Sequence, residues 1–201
     1  MWRSLYRLWQ RRQLTDPDYD FLFAPPTQSG VVSIDCETTG LNPKKDEIIT
    51  LAAIRVEGTS ILTSESMHLT LKPSRTIDGA AITVHRLRNC DVAHGLPPQE
   101  AIAQFLAFVG SSPLLGYYLE FDIALINRIV KPWLGIQLPN PQIELSALYH
   151  DHKIGLIPQR VVDLRFETIR KTLAIPDLGA HDAYADALMV AMAYVKLQQM
   201  G

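Results

Sequence analysis

The stretch Val31-Val32-Ser33-Ile34-Asp35-Cys36-Glu37-Thr38-Thr39-Gly40 constrains this chain more than any other. Val31, Val32 and Ile34 are β-branched and follow a Ser-Gly turn signal, which predicts an extended strand. Side chains two apart on a strand share a face, so the strand carries Asp35 and Glu37 to one side of its C-terminal end. Two carboxylates held together repel, and one stays protonated unless a cation sits between them. A divalent metal resolves that conflict, and hard oxygen donors favour Mg²⁺ or Mn²⁺. Cys36, between the two acids, is expected to turn away from them into the core. An isolated Asp-x-Glu is more often solvated punctuation at a strand end than a metal site, so the motif needs company elsewhere in the chain.

With 201 residues, 47% of them hydrophobic, the chain can build one domain with a substantial core. A net charge of −2 gives no global basic field for nucleic acid, although a metal site can supply the local positive charge that a phosphate needs. Cys36 and Cys90 show no metal-ligand spacing, and a reduced, cytoplasmic protein fits them better than a disulfide scaffold. No apolar run approaches the ~20 residues of a membrane span. Arg3, Arg7, Arg11 and Arg12 interrupt any signal-peptide core.

Residues 1–30 read as an N-terminal amphipathic arm, and residues 31–201 as the main domain. Trp2, Leu5, Tyr6 and Trp9 recur at helical spacing, with Arg3 and Arg7 on another face, predicting a short helix from Met1 to about Gln13. Pro17, Pro25 and Pro26 then break regular structure. The simplest expectation is that the aromatic face packs on its own domain. Docking to a protein partner, a nucleic-acid backbone or a membrane surface is the alternative. Further on, Glu47 to Val56 and Ile61 to Leu71 flank the turn-like Glu57-Gly58-Thr59-Ser60 and form a hairpin. From Asp78 the pattern turns helical. Pro97 and Pro98 open a helix with Ile102, Phe105, Leu106 and Val109 on one stripe, closed by Gly110. Pro113 to Tyr118 reads as a brief strand, followed by a helix from near Phe121 to Pro132. Residues 139–173 read as two helical stretches broken around Gly155 and Pro158, and a last helix runs from about Asp182 to Gln198. Strands first, then helices alternating with a short strand, imply an α/β protein with a mixed sheet flanked by helices.

Three further residues carry chemistry. Asp122 falls in the first turn of a helix, where the dipole stabilises an acid, yet its neighbours Phe121, Ile123, Leu125 and Ile126 imply burial, and a buried aspartate needs a partner or a cation. His181 and Asp186 would lie about 140° apart on one helix and could not share a site. With Asp182 as N-cap, His181 instead precedes the helix and can fold back over its first turns. Asp186 lies among alanines, which lets another element approach closely.

Asp-x-Glu on an early strand, Phe-Asp at a mid-chain helix start and His-x-Ala-x-x-Asp at a late one, in that order, resemble the DEDDh branch of the DEDD 3′-5′ exonuclease superfamily. The likeness covers about residues 31–197 and extends to Thr-Thr-Gly-Leu after the acidic pair, Glu-Ile-Ile-Thr-Leu-Ala-Ala-Ile in the hairpin and Ala-Ile-Thr-Val-His at residues 81–85. The resemblance implies a ribonuclease-H-like mixed five-stranded sheet flanked by helices. It implies that Asp35, Glu37, Asp122 and Asp186 hold two Mg²⁺ ions, with Mn²⁺ as a substitute, and that His181 is the general base. The activity implied is metal-dependent 3′-5′ exonuclease cleavage of single-stranded DNA or RNA ends to nucleoside monophosphates. It further implies that backbone groups from Cys36 through Thr38 and Thr39 hold the terminal nucleotide, that Leu41 wedges between the last two bases, and that His85 lies near the substrate. Tyr118 and Phe121 are the remaining substrate-side candidates. Tyr118 stands where many relatives carry asparagine, and Glu144-Leu145-Ser146 where many carry aspartate followed by Ser or Thr. The expectation, since the sequence offers no tail after residue 201 for a polymerase to grip, is against the usual proofreading subunit. The competing reading is a nucleic-acid-binding or polymerase-accessory module that keeps the exonuclease fold without turnover.

Overall fold

A central strand whose two faces are packed differently fixes the architecture. In the computed structural model, which describes residues 2–26, 30–77, 79–85, 87–156, 161–179 and 181–200, this is β1, Val31–Thr38. It pairs antiparallel with β2 (Ile48–Glu57), which pairs antiparallel with β3 (Ser60–Thr70). On its other side β1 runs parallel to β4 (Leu114–Gly116), and β4 runs parallel to β5 (Gln142–Glu144). The sheet order is therefore β3-β2-β1-β4-β5, a mixed five-stranded sheet. The β2–β3 hairpin closes through Gly58 and Thr59, with Glu57 opposite Ser60 and Gly58 at a φ of +55°. A tight turn of this kind favours glycine at its first position.

Helices cover both faces. They are α1 (Trp2–Gln13), α2 (Gly79–His85), α3 (Asn89–Val92), α4 (Pro98–Val109), α5 (Leu119–Leu134), α6 (Leu145–Leu156), α7 (Phe166–Thr172) and α8 (Ala183–Met200). A 3₁₀ helix, Pro17–Phe23, follows α1. Val32 and Ile34 of β1 join Ile102, Phe105, Leu106, Ile123 and Ile126 in one buried layer. Val31 joins Leu145, Ile169, Met189 and Val190 in the other. The parity of β1 is thereby set, because the Ser33 hydroxyl donates to the Ala187 carbonyl of α8 at 2.8 Å. Ala187, Ala191 and Ala193 are fully buried, and their small side chains let α8 lie close to the sheet. Asp35 and Glu37, which share the parity of Ser33, are carried to the α8 side.

Four expectations are corrected. β5 falls in a stretch read as helical; it is three residues long and exists through its pairing with β4. Helix α5 begins at Leu119, two residues early, because the Glu144 carboxylate accepts the Leu119 amide at 2.9 Å. It also passes through Pro132 and ends at Gly135, whose φ of +74° is a left-handed cap. Proline so near the end forfeits one helical hydrogen bond, and the buried Val130 and Leu134 hold the last turn against the core. The arm is reversed in orientation: Leu5, Tyr6, Leu8 and Trp9 of α1 are exposed, while Gln10 is buried and Arg7 is bonded inward. Leu22 and Phe23 of the 3₁₀ helix do enter the core. Asp78 and Pro158 lie outside the described residues. Among the described residues, no helix is long and apolar enough to cross a membrane.

Candidate active site

The acidic end of β1 opens into a cleft of about 830 Å³. Asp35, Glu37, Asp122, His181 and Asp186 all line it, together with Cys36, Thr38, Leu41, Tyr118 and Phe121. Three different elements thus bring their polar groups to one place, from positions separated by up to 151 residues of chain, counting from Asp35 to Asp186. Ligand atoms of Glu37, His181 and Asp186 lie within 4.8 Å of one another.

Each group is positioned by identifiable local structure. Pairing of β1 with β2 shifts register between Glu37 and Thr38, ending the regular ladder at the acids. The loop beyond is then braced on itself. Thr39 donates its amide to the Glu47 carbonyl at 2.9 Å and accepts the Glu47 amide on its hydroxyl at 3.0 Å. The Asp46 carboxylate accepts the Asn42 amide at 2.7 Å. Gly40 leaves room for this carboxylate, because a Cβ at that position would come 2.6 Å from Asp46 Oδ2 and displace it. The Arg128 guanidinium of α5 donates to the Pro43 carbonyl at 3.1 Å, tying the loop to the helix that bears Asp122. Leu41 projects from this loop, 91% exposed. Thr39 is buried and serves the loop, and it is absent from the lining of the cleft.

Asp122 sits in the first turn of α5, 4% exposed. Burial pushes its carboxyl up to about 8, against the opposing hydrogen bond from the Cys36 thiol. This contact adds to the expectation for Cys36. The thiol does leave the face of Asp35 and Glu37 and does pack on the core, but there it meets Asp122. Burial first, and the neighbouring carboxylates of Asp122, Asp186 and Glu37 next, push Asp35 well above the usual carboxylate range. Burial and then Asp186 and Asp182 push Glu37 up to about 7. Asp186 is raised by burial, while the His181 amide, donating to its Oδ2 at 2.9 Å, works in the other direction.

His181 lies just before α8 at a φ of +68°. Asp182 caps the helix, its carboxylate accepting the Ala185 amide and its carbonyl the Asp186 amide, each at 2.9 Å. The positive φ folds His181 back toward the first turn and brings its ring within reach of Glu37 and Asp186. Tyr118, at a φ of +58°, is the second non-glycine residue of the cleft in the left-handed region. Such backbone persists only where the surroundings impose it. Its ring is exposed and stacks on Phe121 with centroids 6.3 Å apart. His85 ends α2, and its side chain lies outside what the structure describes; Ala81 of the same helix lines the cleft.

The sequence does not show what two supporting residues do. The Tyr117 hydroxyl donates to the Leu164 carbonyl and accepts the Phe166 amide, both at 3.0 Å, and so fixes a cleft wall to the segment entering α7. Glu144 accepts the Leu119 amide and, at 2.7 Å, the Ser146 hydroxyl, joining the starts of α5 and α6. The Glu-Leu-Ser spacing was the available signal for the second; nothing local marks the first.

Among the described residues lining the cleft there is no lysine or arginine. Asp35, Glu37, Asp122 and Asp186 therefore share the cleft, with Asp46 at its loop, without a lysine or arginine among them; the Glu37 and Asp186 carboxylates with the His181 imidazole come close enough together to fit a divalent metal.

Comparison with known proteins agrees with this architecture. The exonuclease family model RNase_T matches residues 32–194. DNA polymerase III subunit epsilon of Aquifex aeolicus is 29% identical over 166 residues, covering 83% of this chain and 79% of the relative. DNA polymerase III PolC-type of Thermotoga maritima is 26% identical over 169 residues, covering 84% of this chain; the match spans only 12% of that much longer protein. Exonuclease I of E. coli in complex with a 5cy-dT13 oligonucleotide superposes with a TM-score of 0.71 over 86% of this chain and 41% of that one, at 21% identity, a likeness of fold. By the extent of the family match and the order in which the fold delivers its acidic residues, this chain belongs to the exonuclease family.

Proposed function

We propose that this chain is a metal-dependent 3′-5′ exonuclease that releases nucleoside 5′-monophosphates from the 3′ end of single-stranded DNA or RNA. One observation carries the reading above the others: four carboxyl groups and one imidazole from three distant parts of the chain share a single cleft. Asp35, Glu37, Asp122 and Asp186 would hold two Mg²⁺ ions, or Mn²⁺ in their place. Metals bound there supply a nucleophilic water at neutral pH and offset the charge that gathers on the phosphodiester.

The chain's own residues do the rest. His181, held beside Asp186, takes the proton of the attacking water. The water oxygen bonds to phosphorus and the bond from phosphorus to the 3′ oxygen of the penultimate nucleotide breaks; that oxygen takes a proton from solvent and leaves as a 3′ hydroxyl, and His181 gives its proton back to solvent. Backbone groups of Cys36 and Thr38, which line the cleft, would hold the terminal nucleotide. Leu41 and the Tyr118–Phe121 pair stand at the rim as apolar surfaces for the bases, since stacking on aromatic faces is tolerant of sequence. The oligonucleotide complex of the E. coli exonuclease I structure supports a single strand as substrate. Free Cys36 and Cys90 suit a reducing, cytoplasmic setting.

The test is a digestion panel of end-labelled single-stranded DNA, duplex DNA and short RNA with Mg²⁺ or Mn²⁺. Release of mononucleotides by the wild type, and none by Asp35→Asn or Asp186→Asn with unchanged circular dichroism, is the expected result. Strand binding without cleavage under either metal would replace this reading with that of a binding module.

A further inference from the structure

The N-terminal helix is mounted with its greasy side out. Arg7 donates to the Pro139 carbonyl at 2.7 Å and the Leu22 carbonyl at 3.0 Å, and its guanidinium lies 5.4 Å from the centre of the Phe23 ring. Gln10 is buried on the same side. The helix end is fastened as well: Thr15 donates its amide to Leu134 at 3.1 Å, and the Gln13 carbonyl occupies the space a side chain on Gly135 would need. Tertiary contacts on the polar side therefore hold Leu5, Tyr6, Leu8 and Trp9, each more than half exposed, facing outward. Tyr6 and Trp9 stack on each other at 5.7 Å.

At 100° per residue, Leu8, Arg12, Leu5, Trp9 and Tyr6 fall on one arc of about 160°, which the exposed Gln13 shares at the helix end. Exposed Arg12 is the charge on that arc, and residues 2–13 contain no acid. We propose that this face docks the protein onto an anionic membrane surface. Leu5, Leu8 and Trp9 enter the headgroup–acyl boundary, Tyr6 sits at its edge, and Arg12 reaches lipid phosphate, the arrangement of an interfacial helix.

Size and charge favour a bilayer over the other occupants. From Leu5 to Arg12 the strip is about 11 Å long and about 10 Å wide, so pairing two copies through it buries a few hundred Å², well short of the ~1,200 Å² of a stable interface. A nucleic-acid backbone demands several free cations, yet Arg7 is bonded inward and Arg11 is paired with Asp20. The helix lies beside the segment entering β5, at the end where β1, β4 and β5 begin, whereas the cleft opens where β1 ends. Docking leaves the cleft free.

The full chain is to be sedimented with vesicles of equal parts phosphatidylglycerol and phosphatidylcholine, and with phosphatidylcholine alone. The expected result is sedimentation with the anionic vesicles, weakened several-fold on the neutral ones and at about 0.5 M salt, where charges are screened within a few Å. Leu8→Glu and Arg12→Glu should each reduce binding, the first by about tenfold, without changing single-strand digestion or circular dichroism. No sedimentation with anionic vesicles, or binding by Leu8→Glu equal to the wild type, overturns the proposal. So does a concentration-dependent dimer, abolished by Leu8→Glu, in protein that ignores vesicles.

Discussion

The His181 amide donates to the Asp186 carboxylate at 2.9 Å while His181 itself occupies the left-handed region at a φ of +68°. One hydrogen bond thus joins a strained residue to an acid five positions later and fixes the ring near Glu37. In the proposed mechanism the imidazole takes a proton, while the amide only shapes the turn. His181→Gly separates the two roles, because glycine accepts the positive φ without strain. The expected outcome is a melting temperature equal to or above that of the wild type, with turnover lowered by ~10²–10⁴. Equal turnover would remove the imidazole from the mechanism.

Burial and mutual repulsion raise Glu37 to about 7 and Asp122 to about 8, whereas in the unfolded chain both titrate near the ordinary ~4. Between those limits the folded protein holds more protons than the unfolded one, so its stability falls as pH rises through the window. Metal-free protein should therefore melt several degrees lower at about pH 8 than at about pH 5, because 1 kcal/mol moves the midpoint by ~2–4 °C at this size. Mg²⁺ or Mn²⁺ should restore the loss at the higher pH and do little at the lower. Thermal melts in chelator and in metal at both pH values check this, and a flat profile in chelator would contradict it.

Asp122→Asn follows from the same electrostatics. An amide keeps the size and the Cys36 contact but carries no charge, so the metal-free variant should melt above the wild type at about pH 8 while losing Mg²⁺-dependent digestion. Calorimetry paired with a single-strand assay reads both. A variant less stable than the wild type would mean that the burial of this charge, and its repulsion by Glu37, do not limit the metal-free fold.

Glu144 reaches across 25 residues of sequence to cap the helix bearing Asp122. Glu144→Ala leaves the Leu119 amide and the Ser146 hydroxyl without their acceptor and should cost about 1–2 kcal/mol. Turnover should fall with little change in KM, since the carboxylate of Asp122 is displaced and not removed. Glu144→Gln, which retains an acceptor oxygen, should recover most of both. An unchanged turnover in Glu144→Ala would show that Asp122 is held without this cap.

Leu41 is almost fully exposed, so Leu41→Ala should alter stability by less than about 0.5 kcal/mol. Any loss of digestion then reports contact with the strand. The expected change is a several-fold rise in KM, measured on single strands of graded length, and identical kinetics would take Leu41 off the substrate path.

The parts of this molecule that were legible in sequence are those governed by short-range rules. Period-two alternation gave the side of β1 that Asp35 and Glu37 share, and paired prolines with a terminal glycine bounded α4. The N-cap at Asp182 gave the fold-back of His181. What escaped depends on contacts between distant segments. The start of α5 is set by Glu144, β5 by its neighbour β4, and the role of Cys36 by a helix start 86 positions downstream, at Asp122. Amphipathicity predicted α1 but not its orientation, since a stripe of apolar residues does not say which side the domain will cover.

The bond from Ser33 to Ala187 ties the rotational phase of the middle strand to the final helix. One residue inserted or deleted just upstream of Ile34 would exchange the two sides of the strand at once, driving both acids into the layer around Phe105 and turning Ile34 out toward the cleft. Folding would fail before any chemistry could be assayed. In this protein the acids of the cleft and the sheet can drift by substitution, but they cannot slide past one another.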